Sequence, residues 1–184
     1  MDQQNIDKVI SNYLSKNIKF SEENIFAVKL SLLDTLGCIY NASTYEEPMR
    51  FATRNVYGGN TNPFKILGDM ESSNEIARYF SILTRWFDYN DTFLAKEWAH
   101  PSDNIGTAFA YFINHKEKNI SQFLQSIIQM YEIQGSLALG TSLNKKGYDH
   151  VFYVKLASGA VYSSLLSDKN TESISRTVNN ILQD

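Results

Sequence analysis

Cysteine is almost missing from this 184-residue chain. Cys38 is the only one, so no internal disulfide can form, and no iron–sulfur cluster can be held by three or four thiolates of the chain. Proline and glycine are sparse, at 3 and 9 residues, which sets aside collagen-like and low-complexity architectures. Charge of one sign is missing as well: 17 Lys and Arg stand against 20 Asp and Glu, a net charge of −3, with no block of like charges. A nucleic acid or an anionic membrane as the main partner would need a basic footprint, and the sequence has none. Uninterrupted apolar runs stop well short of the ~20 residues that span a bilayer. The polar opening from Met1 to Asn5 lacks the basic and apolar regions of a secretory signal. These absences together lead us to expect a cytoplasmic protein.

What is present is an ordinary globular composition, 43% hydrophobic and 20% charged. A chain of this length is expected to form one domain over residues 1–184 and to bury roughly 70% of its unfolded surface. Its apolar residues recur at helical rather than strand spacing, so the expected class is all-α, a helical bundle-like domain. A first short helix covers 6–14. Ser21 can cap a second, with Glu22 and Glu23 at the positive end of its dipole. In that helix Ile25, Val28, Leu32, Leu36 and Ile39 form one stripe and Phe26, Leu30, Leu33 and Tyr40 a second, a surface wide enough for a central helix. Cys38 reads as a small buried hydrophobe.

Ser43 with Glu46 reads as a capping box, with Pro48 in the first turn and Gly58-Gly59 as the stop; Ser72 with Glu75 reads as a second box. The helix after Ser72 ends near Asp88, a loop covers 88–101, and Ser102 or Asp103 can cap a helix over 103–114. Another helix runs from Ser121 to Gly140. Asp149 can cap the next, to about Leu166. There the β-branched start Val151 to Val154 also fits a strand, but Ala157, Ser158, Gly159 and Ala160 offer a small-residue surface on which a helix can pack. Thr171 opens the last helix.

The polar residues most in need of explanation fall in the 88–103 segment: Asp88, Asn90, Asp91, Thr92, Glu97, His100, Ser102 and Asp103, interleaved with aromatics. Asp88 and Asp91 near a histidine could polarise one another, hold a divalent cation, or orient an imidazole as a base, and they could equally serve as helix caps. A second group, Lys145, Lys146 and Lys155 around His150, would place positive charge beside a helix N-terminus, suited to a carboxylate. His115 follows a helix end and is assigned no chemistry.

The run Arg85-Trp86-Phe87-Asp88-Tyr89-Asn90-Asp91-Thr92-Phe93-Leu94-Ala95-Lys96-Glu97-Trp98-Ala99-His100-Pro101-Ser102-Asp103-Asn104 closely resembles the signature of the MmgE/PrpD family. Leu33 to Tyr40 and the stretch from Leu143-Asn144 through Gly147-Tyr148-Asp149-His150 to Ser158 agree with it. The resemblance implies a cofactor-free hydro-lyase that dehydrates 2-methylcitrate to 2-methylaconitate in propionate catabolism, without an iron–sulfur cluster. It implies a site between a helical domain and a smaller lid domain. On that resemblance Asp88, Thr92, His100 and His150 fall on catalytic positions, with Arg85, Asn90, Asp91, Ser102 and Lys155 as candidates for substrate binding, and no metal site. Elimination needs a base for a carbon-bound proton, an acid for the departing hydroxyl and donors for a developing dianion, and imidazoles titrating at about 6.5 suit the first two tasks. Family members are well over twice as long, and this chain resembles only the N-terminal part of the helical domain. The expectations are therefore weak or no activity alone, and homo-oligomers or pairing with a separate C-terminal polypeptide around a small-molecule tricarboxylate. The alternative is a non-catalytic remnant or assembly subunit that keeps the fold.

Overall fold

The structure is a computed structural model that describes residues 5–53, 72–115 and 117–183. Within them the fold is all-α: eight helices and one two-stranded hairpin. The helices are α1 (Ile6–Leu14), α2 (Glu22–Ser43), α3 (Glu46–Thr53), α4 (Ser73–Arg85), α5 (Ile105–Asn114), α6 (Ile120–Gly140), α7 (Val151–Leu166) and α8 (Thr171–Leu182). Between α4 and α5 lie β1 (Phe93–Leu94) and β2 (Trp98–Ala99), antiparallel with Phe93 opposite Ala99, followed by a 3-10 turn over Pro101–Asn104.

Local chemistry explains most boundaries. Ser21 accepts from the Asn24 backbone N–H while the Asn24 side chain accepts from the Ser21 N–H, a reciprocal cap that starts α2. Ser72 and Glu75 make the same exchange at α4, and α6 ends at Gly140. The segment after Asp149 is helical, not a strand. Ser43, however, caps nothing: it is the last residue of α2, and its hydroxyl donates to the Tyr40 carbonyl. Pro48 does sit in the first turn of α3, but the Gly58-Gly59 stop lies outside the described residues. α6 begins at Ile120, one residue before the expected Ser121, and α8 at Thr171 as expected, with Asn119 and Asn170 as their caps. Ser102 and Asp103 belong to the 3-10 turn rather than capping α5.

Two apolar clusters fill the interior. One joins α1, α2, α5, α6, α7 and α8 around Leu14, Ile105, Ile127, Met130, Leu156 and Ile174; the other joins α2, α3, α4 and α5 around Ile39, Met49, Ile76, Tyr79 and Phe80. Phe109 borders both and stacks on Phe80 at 4.2 Å between ring centroids. The small-residue surface of α7 receives α8 as expected: a Cβ on Gly159 would strike Ile181 Cδ1. Cys38 is buried.

α2 departs from expectation. Its first stripe packs inward, but Phe26, Leu30, Leu33 and Tyr40 are 63%, 52%, 67% and 65% exposed. The helix is not central, because α3, α4 and α6 cover only one of its sides. It is also the one helix among the described residues long and apolar enough to cross a bilayer by length and composition alone, although Lys29 and Asp34 interrupt it.

Candidate active site

The chain leaves α4 through Asp88, whose φ of 58° is left-handed. Aspartate tolerates that conformation better than most residues, and it turns the backbone sharply from the helix into the hairpin. The turn is cross-linked. Arg85 donates to the Asp88 carboxylate and, at 3.3 Å, to Asn90 Oδ1, and its Nε lies 3.8 Å from Asp103 Oδ2. Buried Asn90 donates in turn to Ser102 Oγ at 2.8 Å and Asp103 Oδ1 at 3.0 Å. Burial pushes the Asp103 carboxyl above its usual range, opposed by the Arg85 charge.

Asp91 anchors the far side of the loop. One carboxylate oxygen accepts from the Ser102 N–H at 2.9 Å and the other from the Tyr131 hydroxyl of α6 at 2.8 Å. Tyr131 is driven far above the ordinary tyrosine range by burial and by that carboxylate, so it stays a donor. Asp88 and Asp91 are thus committed to different partners, and no group of three His, Cys, Asp or Glu that could hold a metal exists among the described residues. The cation-binding alternative for this pair loses its geometry.

Two histidines meet beside this frame. His100, between the hairpin and the 3-10 turn, is buried, and its Nδ1 lies 2.7 Å from the Asp91 carbonyl. His150, at the start of α7, is 6% exposed, with Nδ1 3.0 Å from Asp149 Oδ1. Asp149 is not the expected N-cap of α7, a position held by His150 without a side-chain cap bond, but it accepts from the Val151 N–H at 3.0 Å and so joins the first turn of α7 to the orientation of the imidazole. A carbonyl and a carboxylate oxygen can only accept, so each neutral ring carries its proton on Nδ1 and presents a bare Nε2. The Nε2 of His150 is buried with no hydrogen-bond partner, and that of His100 faces Asp88 Oδ1 at 3.9 Å. The ring centroids are 6.2 Å apart, and Trp98 packs on both, at 3.8 Å from His150 and 5.4 Å from His100. Burial lowers the His150 pKa below its usual value; Asp149 opposes this, while Arg85 and His100 add to it.

Next to the histidines, a cavity of about 480 Å³ between α4, α5 and α7 is lined by Arg85, Asp103, Thr107, Val151, Lys155 and Ser158, among others. Of the residues singled out in the sequence, Arg85, Asp88, Asn90, Asp91, His100, Ser102 and His150 therefore come together in one network or stand against it, and Lys155 lies across the adjoining cavity. Thr92 is exposed at the hairpin's edge. Lys145 and Lys146 are exposed in the loop before α7. His115 donates from Nδ1 to the Tyr111 carbonyl at the end of α5 and stacks on Tyr111, away from this site. Sequence reasoning left Trp98, Asp149 and Tyr131 without roles at the site. Only the Trp98 and Asp149 positions, beside each histidine, carried any signal.

Known proteins similar to the chain cover most of its length. The family model for the MmgE/PrpD N-terminal domain matches residues 8–181. A probable 2-methylcitrate dehydratase of Saccharomyces cerevisiae is 34% identical, over 92% of this chain and 36% of its own length. The 2-methylcitrate dehydratases of Escherichia coli K12 and Cupriavidus necator are 34% and 38% identical, over 88% and 73% of this chain and 35% and 30% of theirs. The chain spans about a third of the length of the curated relatives it matches.

Proposed function

The chain belongs to the MmgE/PrpD family, and from that premise we propose that it carries the proton-transfer half of a hydro-lyase site for 2-methylcitrate, with 2-methylaconitate as product. The observation that carries this reading is the pair of buried imidazoles, 6.2 Å apart, whose Nδ1 atoms are engaged and whose Nε2 atoms are free of hydrogen bonds. That separation suits the two ends of one H–C–C–OH unit.

The two environments support different tasks. His150, held neutral by burial and by the nearby cations, with Asp149 fixing the Nδ1 proton, offers a lone pair for the carbon-bound proton. His100, with the Asp88 carboxylate 3.9 Å from Nε2, is our candidate to deliver a proton to the departing hydroxyl. Arg85 and Lys155 line the cavity where substrate carboxylates would sit, and Asn90 and Ser102 hold Arg85 and Asp103 in register. Neither role requires a cofactor. The test is the ultraviolet absorbance of the conjugated product, together with substrate-induced shifts of the two imidazole Nε2 resonances. Unshifted resonances at saturating 2-methylcitrate would overturn the assignment.

A second reading rests on a different observation, the exposed apolar stripe of α2: an assembly subunit that keeps the fold and contributes little chemistry. It requires association without any imidazole response to tricarboxylates.

A further inference from the structure

Glu97 is used by no step above, yet it is 1% exposed, one residue before Trp98 in the hairpin. A buried carboxylate is costly unless fully hydrogen-bonded. Here Oε2 accepts from Ser142 Oγ at 3.0 Å and from the Asn144 backbone N–H at 2.8 Å, while Oε1 accepts from Asn144 Nδ2 at 2.6 Å. Burial pushes this carboxyl up, but the Asn144 and Ser142 donors outweigh it and hold the group below the usual range, so it remains ionised. All three donors lie in the loop between α6 and α7, whose last residue before the helix is His150. The same hairpin ties itself to the end of α6 through the Glu97 N–H to the Ala138 carbonyl at 3.0 Å and Lys96 Nζ to the Gly140 carbonyl at 3.3 Å. Directly after Glu97 comes Trp98, whose ring lies on His150.

We propose that Glu97 is a positioning residue: it fastens the 142–144 loop to the hairpin and thereby holds His150 against Trp98 and within reach of His100. Three charge-assisted bonds from one loop converge on one carboxylate, all shorter than the 3.3 Å bond from the Tyr153 hydroxyl to the Thr141 carbonyl of the same loop. The inference rests on the reading of His150 as a proton-transfer group, but its readout does not require turnover.

An imidazolium quenches indole fluorescence and a neutral imidazole does so far less. In a Trp86→Phe, His100→Gln background, where Trp98 is the one remaining tryptophan and His150 the one histidine packed on its ring, a pH titration therefore reports both the stacking and the protonation of His150. The groups that face His150 are Asp149 on its own segment, Arg85 of α4, and Glu97 and His100 from the hairpin and the turn after it. Because the Glu97 charge favours the imidazolium, removing charge alone would lower the midpoint and leave the quenching intact. Loosening the loop instead separates the rings and admits water. Glu97→Gln is therefore expected to lose most of the pH-dependent quenching and to move the His150 midpoint upward, toward that of a hydrated imidazole, with unchanged far-UV circular dichroism. Full quenching, with the midpoint unchanged or lowered, would overturn the proposal. If Glu97→Gln does not fold, Asn144→Ala decides by the same two signals, since Asn144 is exposed and its loss removes one bond to Oε1 without opening the core. Altered quenching in a protein whose imidazoles ignore 2-methylcitrate would leave the positioning role standing and remove the proposed substrate.

Discussion

At the scale of single residues, the two histidines differ by what stands at each nitrogen, and that difference has a measurable sign. His150 titrates below the usual histidine value, chiefly through burial. The folded protein thus binds the proton less readily than the unfolded chain, whose histidine titrates at about 6.5. The contribution of His150 to stability is constant above that pH and is lost as the pH drops from there toward the folded midpoint. Proton-detected titration of the imidazole should place the His150 midpoint below the unfolded value, and His150→Asn should flatten the loss of stability across that interval. A midpoint at or above the unfolded value would contradict the neutral-base assignment. Gly106 is a second residue with a defined cost. A Cβ there would come within 2.8 Å of the Ala77 carbonyl and also strike Ser81 Oγ, because α4 and α5 cross closely at this point. Gly106→Ala should destabilise the fold by about 1–3 kcal/mol, as overpacking does, readable in urea denaturation; a neutral effect would mean that the two helices can separate cheaply.

Among the helices and loops, the caps show which signals a sequence carries and which it hides. Ser72→Ala removes the acceptor for the Glu75 N–H and should cost about 1 kcal/mol, a loss of about 2–4 °C in Tm for a protein of this size. The Ser72 cap was legible because its exchange with Glu75 joins residues three apart, and the Ser21 cap because Glu22 and Glu23 follow it in the first turn. The Ser43–Glu46 pair has the same spacing, but α2 runs through Ser43 and leaves it no free N–H to cap. The His100 and His150 pairing could be anticipated only from the family resemblance, since no local spacing links residues separated by α5 and α6. The Glu97 anchorage and the Asp91–Tyr131 bond were likewise hidden, because each joins segments distant in sequence. At the opposite end of the fold, Asp7 accepts from Ser175 Oγ at 2.5 Å and Asn179 Nδ2 at 3.1 Å, joining α1 to α8. The Ser175 bond leads in holding this carboxyl below its usual range, so the clasp is present at neutral pH and is lost as the pH falls through the folded pKa. Asp7→Ala should therefore speed amide exchange in α1 and α8 while leaving α4 and α5 unchanged.

Considered as one molecule, the chain brings two imidazoles together beside an Arg85 guanidinium that is already engaged. 2-Methylcitrate carries three carboxylates near neutral pH. The Arg85 guanidinium that lines the cavity is already shared among Asp88, Asn90 and Asp103, and His150 is held neutral. Stabilising the dianionic transition state needs pre-organised donors in a site closed to water, whereas this cavity opens at the surface between α4, α5 and α7. The apolar stripe of α2 adds a second unmet demand, since side chains such as Phe26 and Leu33 gain about 25 cal/mol per Å² when covered. We therefore expect the purified chain to self-associate in the micromolar range by light scattering, with Leu33→Glu shifting the mass toward one chain, and to dehydrate 2-methylcitrate weakly or not at all. Adding the polypeptide that corresponds to the remaining two thirds of a relative should restore turnover, and His100→Asn or His150→Asn should then abolish it. Strong dehydration by the unassisted chain, lost on His100→Asn, would place the missing charge within these 184 residues, whereas equal turnover before and after that substitution would remove His100 from the chemistry.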